Sequence, residues 1–101
     1  MLLYEKKRDA LTVRLTGELD HRAADALRGE LDGLIDRAGA RRLVLDLSGL
    51  EFMDSSGVGL IIGRYKRMKR RGGSVAVAGV GPGIDKVLRV SGLYQIVERL
   101  A

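Results

Sequence analysis

Apolar residues recur along this chain at two periods, and the switches between them mark out the elements. Leu11, Val13 and Leu15 alternate with Thr12, Arg14 and Thr16, the two-residue period of a strand with one wet face. Residues 2–8 are read as a strand before it, and Asp9-Ala10 suits a hairpin joining an antiparallel pair. Gly17-Glu18-Leu19-Asp20 ends the second strand, with Asp20 placed to cap the first helix. Ala24, Leu27, Leu31, Leu34, Ile35 and Ala38 then form one helical stripe, which Gly39 closes. Leu43-Val44-Leu45-Asp46-Leu47 is a near-continuous aliphatic run, read as a strand covered on both faces of a sheet. Val58, Ile61, Ile62, Tyr65 and Met68 restore the helical period from about residue 56 to 71, where Gly72-Gly73 stops it.

Val75-Ala76-Val77-Ala78 is a further short buried strand, and Gly79-Val80-Gly81-Pro82-Gly83 a turn that puts Pro82 at the first position of a helix. Ile84, Val87 and Leu88 supply the apolar face of that helix, Ser91-Gly92 ends it, and Leu93 to Glu98 is expected to be a last strand centred on Ile96-Val97. The order β-β-α-β-α-β-α-β predicts a single α/β domain over residues 1–101. Its mixed sheet should carry helices chiefly on one face, with two right-handed crossovers through helices. Repeats, linkers and low-complexity tracts are absent from the sequence.

Phe52-Met53-Asp54-Ser55-Ser56-Gly57-Val58-Gly59 stands at the step from the central strand to the second helix. Either serine can cap that helix, whose first backbone N–H groups lack intrahelical partners, and the same donors favour an anion such as phosphate. One capping hydroxyl is enough, and Asp54 could do that work too. Two serines followed by two closely spaced glycines therefore exceed what capping requires. Gly57 and Gly59 keep side-chain bulk away from the spot, leaving bare backbone that suits docking as well as a turn.

Charge adds one further candidate. The chain holds 18 Lys and Arg against 13 Asp and Glu, a net charge of +5, and much of the excess lies in Arg64, Lys66, Arg67, Lys69, Arg70 and Arg71. Cations near a helix C-terminus are favoured by its dipole, so a solvated face is the simpler account. The alternative is a nucleic-acid- or ligand-binding surface on the basic end of helix 56–71. Aromatics make up only 4% of the chain, which leaves few platforms for stacking single-stranded bases, and no direct nucleic-acid contact is expected.

Other chemistry finds little support. Cysteine is absent, which excludes disulfides and thiolate metal sites, and His21 is the only histidine, so metal and Ser-His arrangements lack partners. Gly79-Val80-Gly81 follows a strand and precedes a helix, but Ile84 replaces the third glycine of a dinucleotide-binding turn, and Gly57-Val58-Gly59 fails likewise at Ile62. Glu18 and Asp20 lack the second shell, electrophile or metal that paired acids need for hydrolysis. The expectation is no enzyme, no cofactor and no metal. The N-terminus is charged too early for a signal peptide and no run is long enough to span a membrane, so a cytoplasmic protein is expected.

Taken together, Leu15-Thr16-Gly17-Glu18-Leu19-Asp20-His21 and Phe52-Met53-Asp54-Ser55-Ser56-Gly57 resemble the STAS-domain anti-sigma factor antagonists, over essentially the whole chain. Gly63-Arg64-Tyr65-Lys66 and Ser91-Gly92-Leu93 fit best the sporulation branch, whose members antagonise the anti-sigma F factor. Stress-response antagonists share the serine motif. The resemblance implies a bacterial phosphoprotein that regulates transcription by partner switching. Unphosphorylated, it binds an anti-sigma factor that is also a serine kinase; phosphorylation of the first serine, Ser55, ends binding, and a serine phosphatase restores it. Asp20 is implied as a kinase contact. His21, Asp54, Ser56, Gly57 and Gly59 complete the expected partner-binding set.

Overall fold

The computed structural model describes residues 2–101. Strands β1 (Leu2–Lys7) and β2 (Ala10–Leu19) precede helix α1 (His21–Ala38), strand β3 (Arg42–Met53) and helix α2 (Ser55–Arg70). Strand β4 (Ser74–Ala78), helix α3 (Pro82–Val90), a 3₁₀ turn at Leu93–Gln95 and strand β5 (Glu98–Arg99) complete the chain. The sheet runs β1-β2-β3-β4-β5, antiparallel between the first two strands and parallel between all later neighbours. The predicted element order and mixed sheet are thus present, with three parallel connections through helices where two were expected.

The hairpin turn falls at Arg8-Asp9, where Arg8 takes a left-handed φ of 58°. Leu11, Val13 and Leu15 of β2, Leu43, Leu45 and Leu47 of β3, and Val75 and Val77 of β4 are buried with the apolar stripes of all three helices in one cluster. Between them on β3, Val44 and Asp46 are only half-buried. β3 is therefore covered on one face and not on two, because all three crossover helices share that face.

Two differences matter for the site. β3 does not end at residue 47 but continues to Met53, and β2 continues through Gly17 to Leu19. Paired residues advance from Arg14 to Leu19 on β2 while β3 advances from Asp46 to Met53, two residues further, across two irregularities of register. Such bulges bend and twist a strand, and here they steer its end. The expected strand at 93–98 is instead the 3₁₀ turn followed by the two-residue β5. Leu93 and Val97 are both buried, and the Val97 N–H donates to the Leu93 carbonyl at 3.0 Å. Their four-residue spacing is helical, and the strand that pairs with Ala76 and Val77 is the polar Glu98-Arg99.

At its C-terminus α2 stops one residue earlier than predicted. The Gly73 N–H reaches the Met68 carbonyl at 2.8 Å and the Gly72 N–H that of Lys69 at 3.0 Å, with Gly72 at φ 74°, the left-handed position this cap requires.

Candidate functional site

Leu19 at the end of β2 pairs with Met53 at the end of β3, and each is followed at once by an aspartate and a helix. The Asp54 N–H donates to the Leu19 carbonyl at 3.4 Å, which stitches the two junctions together. Two helix N-termini therefore open side by side at the carboxyl edge of a parallel strand pair, the edge where open α/β sheets place their sites. Asp20, His21, Asp54, Ser55 and Ser56 share this edge.

Capping is done by the aspartates. Asp20 Oδ1 accepts from the Ala23 N–H at 3.0 Å, as expected. Asp54 Oδ1 accepts from the Ser56 N–H at 2.8 Å, and its carbonyl accepts from the Gly57 and Val58 amides. Neither serine caps α2. Ser55 is its first residue, exposed, with its hydroxyl left over from the structural work, and Ser56 behind it is half-buried. Ser55 thus combines accessibility with the positive end of a helix dipole, where an added negative charge is stabilised by about 0.3–1 kcal/mol. His21 is exposed at the first position of α1.

The two glycines do different things. Gly57 is buried, and a Cβ there would lie 2.5 Å from Met53 Cγ and 3.0 Å from Leu19 Cδ2. Its missing side chain lets α2 start directly on the ends of β2 and β3, so it shapes the edge from below and is not bare docking backbone. Gly59 is exposed with open space around a would-be Cβ.

Beside Ser55 lies a groove of about 430 Å³ between the start of α2 and α3. Met53, Ser55 and Val58 form one side, and Lys86, Val87 and Val90 the other. Val90 is 80% exposed, and Phe52, 47% exposed, borders a second groove on the other flank of Val87. α3 is held in place by Asp85, whose carboxylate accepts from Tyr94 Oη at 2.6 Å, Arg99 at 2.9 Å and Arg89 at 3.0 Å. The Tyr94 hydrogen bond above all, then that of Arg89, holds the Asp85 carboxyl below its usual range. Burial and that same hydrogen bond push the Tyr94 phenol up. The apolar rim and the Asp85 clamp left no motif in the sequence; the signal available was Val90, an apolar residue lying off the Ile84-Val87-Leu88 stripe of α3.

The basic end of α2 is largely committed. Arg64 is only 7% exposed and forms an ion pair with Asp32 of α1, Nε lying 2.9 Å from Oδ1, although neither Nε nor Nη1 makes a hydrogen bond within the protein. Burial presses its pKa down, opposed by the Asp32 charge. Arg67 donates to both oxygens of Asp36, at 3.1 and 2.6 Å, which draws the Asp36 carboxyl down. Arg71 donates to Asp36 and, at 2.9 Å, to the Ile35 carbonyl at the end of α1. Three of the six clustered cations therefore bind α1 to α2, leaving Lys66, Lys69 and Arg70 on the exposed face. The complementary spacings, Asp32/Asp36 against Arg64/Arg67/Arg71, carried that signal. Among the described residues no group of three or more His, Cys, Asp or Glu side chains could hold a metal, and no helix is long and apolar enough to cross a membrane.

Comparison with known proteins extends this geometry. Residues 2–101 match the STAS domain family. The chain is 46% identical over 93 residues to the anti-sigma F factor antagonist of Paenibacillus polymyxa, spanning 92% of this chain and 80% of that protein. It is similar, with a TM-score of 0.85 and 30% identity, to the anti-sigma factor antagonist SpoIIAA in its unphosphorylated form, covering 100% of this chain and 89% of that one. The Bacillus cell fate determinant SpoIIAA in its phosphorylated form aligns at 30% identity with a TM-score of 0.75, over 100% of this chain and 92% of its own.

Proposed function

This chain belongs to the STAS-domain family, and from that premise we propose that it is an anti-sigma factor antagonist operated by phosphorylation of Ser55. In its unphosphorylated form it binds an anti-sigma factor and so frees a sigma factor for transcription. The identity with an anti-sigma F factor antagonist supports this reading and favours the sporulation branch. The partner is also a serine kinase: it transfers the γ-phosphoryl group of ATP to Ser55 Oγ, with loss of the hydroxyl proton and release of ADP. A serine phosphatase hydrolyses the ester with water and returns the free hydroxyl. This chain is the substrate of both reactions and supplies no catalytic group to either.

The observation that carries the reading is the position of Ser55, an exposed hydroxyl at the first residue of α2 whose capping duty Asp54 has taken. A phosphoserine carries about −1.5 to −2 charges at neutral pH. The helix N-terminus tolerates that charge, so the fold survives, whereas the surface shared with Asp20, His21, Asp54, Ser56 and Gly59 is recharged. Like charge set against a partner's acidic or desolvated groups costs binding, and a loss of about 2.7 kcal/mol weakens a complex roughly a hundredfold. The nucleic-acid alternative loses ground because Arg64, Arg67 and Arg71 are already paired with α1.

Incubation with the cognate anti-sigma factor and ATP, followed by peptide mass spectrometry, tests the assignment. One equivalent of phosphate on Ser55, abolished in Ser55→Ala, is expected. Phosphate on Ser56 with Ser55→Ala still accepting a full equivalent would overturn it.

A further inference from the structure

We propose that Lys86 on α3 is the intramolecular counter-ion of the phosphoryl group on Ser55, so that phosphorylation draws this lysine across the mouth of the groove between α2 and α3. The proposal rests on the reading of Ser55 as phospho-acceptor and adds to it a regulatory residue on another element. Ser55 and Lys86 line the same groove of about 430 Å³, whose remaining walls are largely apolar side chains. Its other polar side chains are occupied: Asp54 accepts from the Ser56 amide at 2.8 Å, and Ser91 Oγ donates to the Leu88 carbonyl at 3.0 Å. The acid next to Lys86 in sequence, Asp85, is taken by Tyr94, Arg89 and Arg99. Among the described residues Lys86 has no ion pair or hydrogen bond, and it lines the same groove as a hydroxyl in the same condition.

This arrangement has three physical consequences. A dianion at Ser55 meets one ammonium on a long flexible stem, with the carboxylate of Asp54 in the groove and those of Glu18 and Asp20 at the neighbouring β2–α1 junction opposing it and the His21 imidazole there neutral or attractive. Low-polarity walls strengthen attraction between the two charges relative to open water. An ammonium held on the phosphate also lies over the apolar strip of Val87 and Val90, so one modification withdraws from a partner both the Ser55 surface and the α3 surface beside it.

The test uses the full chain with phosphoserine installed at position 55 during synthesis, so that its outcome is independent of whether any kinase chooses that residue. The second ionisation of the phosphate is followed by ³¹P NMR, with amide spectra confirming the fold of each variant. Wild type should ionise at a pH lower than Lys86→Gln by about half a unit, the size of one nearby opposite charge at a surface. Lys86→Arg should restore most of the shift, and Lys69→Gln at the far end of α2 should leave it intact. Identical titrations of wild type and Lys86→Gln would overturn the proposal, as would an equal change in Lys69→Gln, which would reduce the effect to net charge. Absence of kinase-added phosphate at Ser55 would instead overturn the underlying assignment and leave this measurement standing.

Discussion

Gly57 and Gly59 sit two residues apart at the start of α2, yet alanine at the two positions should change stability in opposite directions. At Gly57 the new methyl meets Met53 Cγ at 2.5 Å and Leu19 Cδ2 and Cγ at 3.0 Å, and all these groups are locked in the core. Forcing a methyl into a packed site costs about 1–3 kcal/mol. The gain from replacing glycine in a helix is at most about 1 kcal/mol, and less in the first turn. Gly57→Ala should therefore lose roughly 1–2 kcal/mol. At Gly59 a Cβ meets nothing within 4 Å, so only the helical gain operates and Gly59→Ala should be more stable by about 0.5–1 kcal/mol. The gap between the variants, about 2 kcal/mol, corresponds to a Tm separation of roughly 8–16 °C for a domain of this size. Urea unfolding with a common slope measures it. Equal stabilities, or Gly57→Ala more stable than Gly59→Ala, would refute the claim that Gly57 is required for close packing.

The Arg64–Asp32 contact gives a second expectation: Asp32→Ala leaves a nearly buried guanidinium unpaired and should cost about 3 kcal/mol, whereas the double change Asp32→Leu with Arg64→Met should recover most of it in urea unfolding. Acid should weaken the α3 clamp, since a carboxyl depressed in the folded state stabilises above its unfolded pKa of about 3.9 and loses that contribution as pH falls through the folded value. Tm measured from pH 6 to pH 2 should therefore fall less steeply in Asp85→Asn than in wild type, from a lower starting point. Asp20→Asn keeps a capping oxygen and removes a charge, so it should barely move the Tm while weakening partner binding in calorimetry; unchanged affinity would confine Asp20 to its cap on α1.

The stripe of α1 and the alternation of β2 appear in the structure much as they do in the sequence, whereas in α2 Val58, Ile61 and Met68 are buried as read, together with Leu60 and Arg64, while Ile62 and Tyr65 are half-buried. Legibility failed where polar residues sit in strands. Ser48-Gly49-Leu50-Glu51 interrupts the aliphatic run, and bulges absorb it into β3 without a hydrophobic signature. Glu98-Arg99 is an edge strand held by backbone pairing with Ala76 and Val77, so no side-chain pattern announces it. At the site, the serine motif and Asp20 could be found because capping and bare glycines have local rules. Which residue caps was not decided by those rules: Asp54 and Ser55 are both good caps, and the bend that delivers Asp54 to Leu19 chose the former. The groove beside Ser55 depends on how α3 folds back over Met53, a tertiary fact with no local cue.

Whether phosphate on Ser55 switches off binding at the paired helix starts is decided by calorimetric titration of the cognate anti-sigma factor with this chain in two forms. One form is unmodified and the other carries phosphoserine at position 55, with matching amide spectra for the core strands. Tight binding is expected of the unmodified chain and an affinity about a hundredfold lower, or lower still, of the phosphorylated one, a loss of roughly 2.7 kcal/mol or more. Equal affinities for the two forms, each correctly folded, would contradict that expectation.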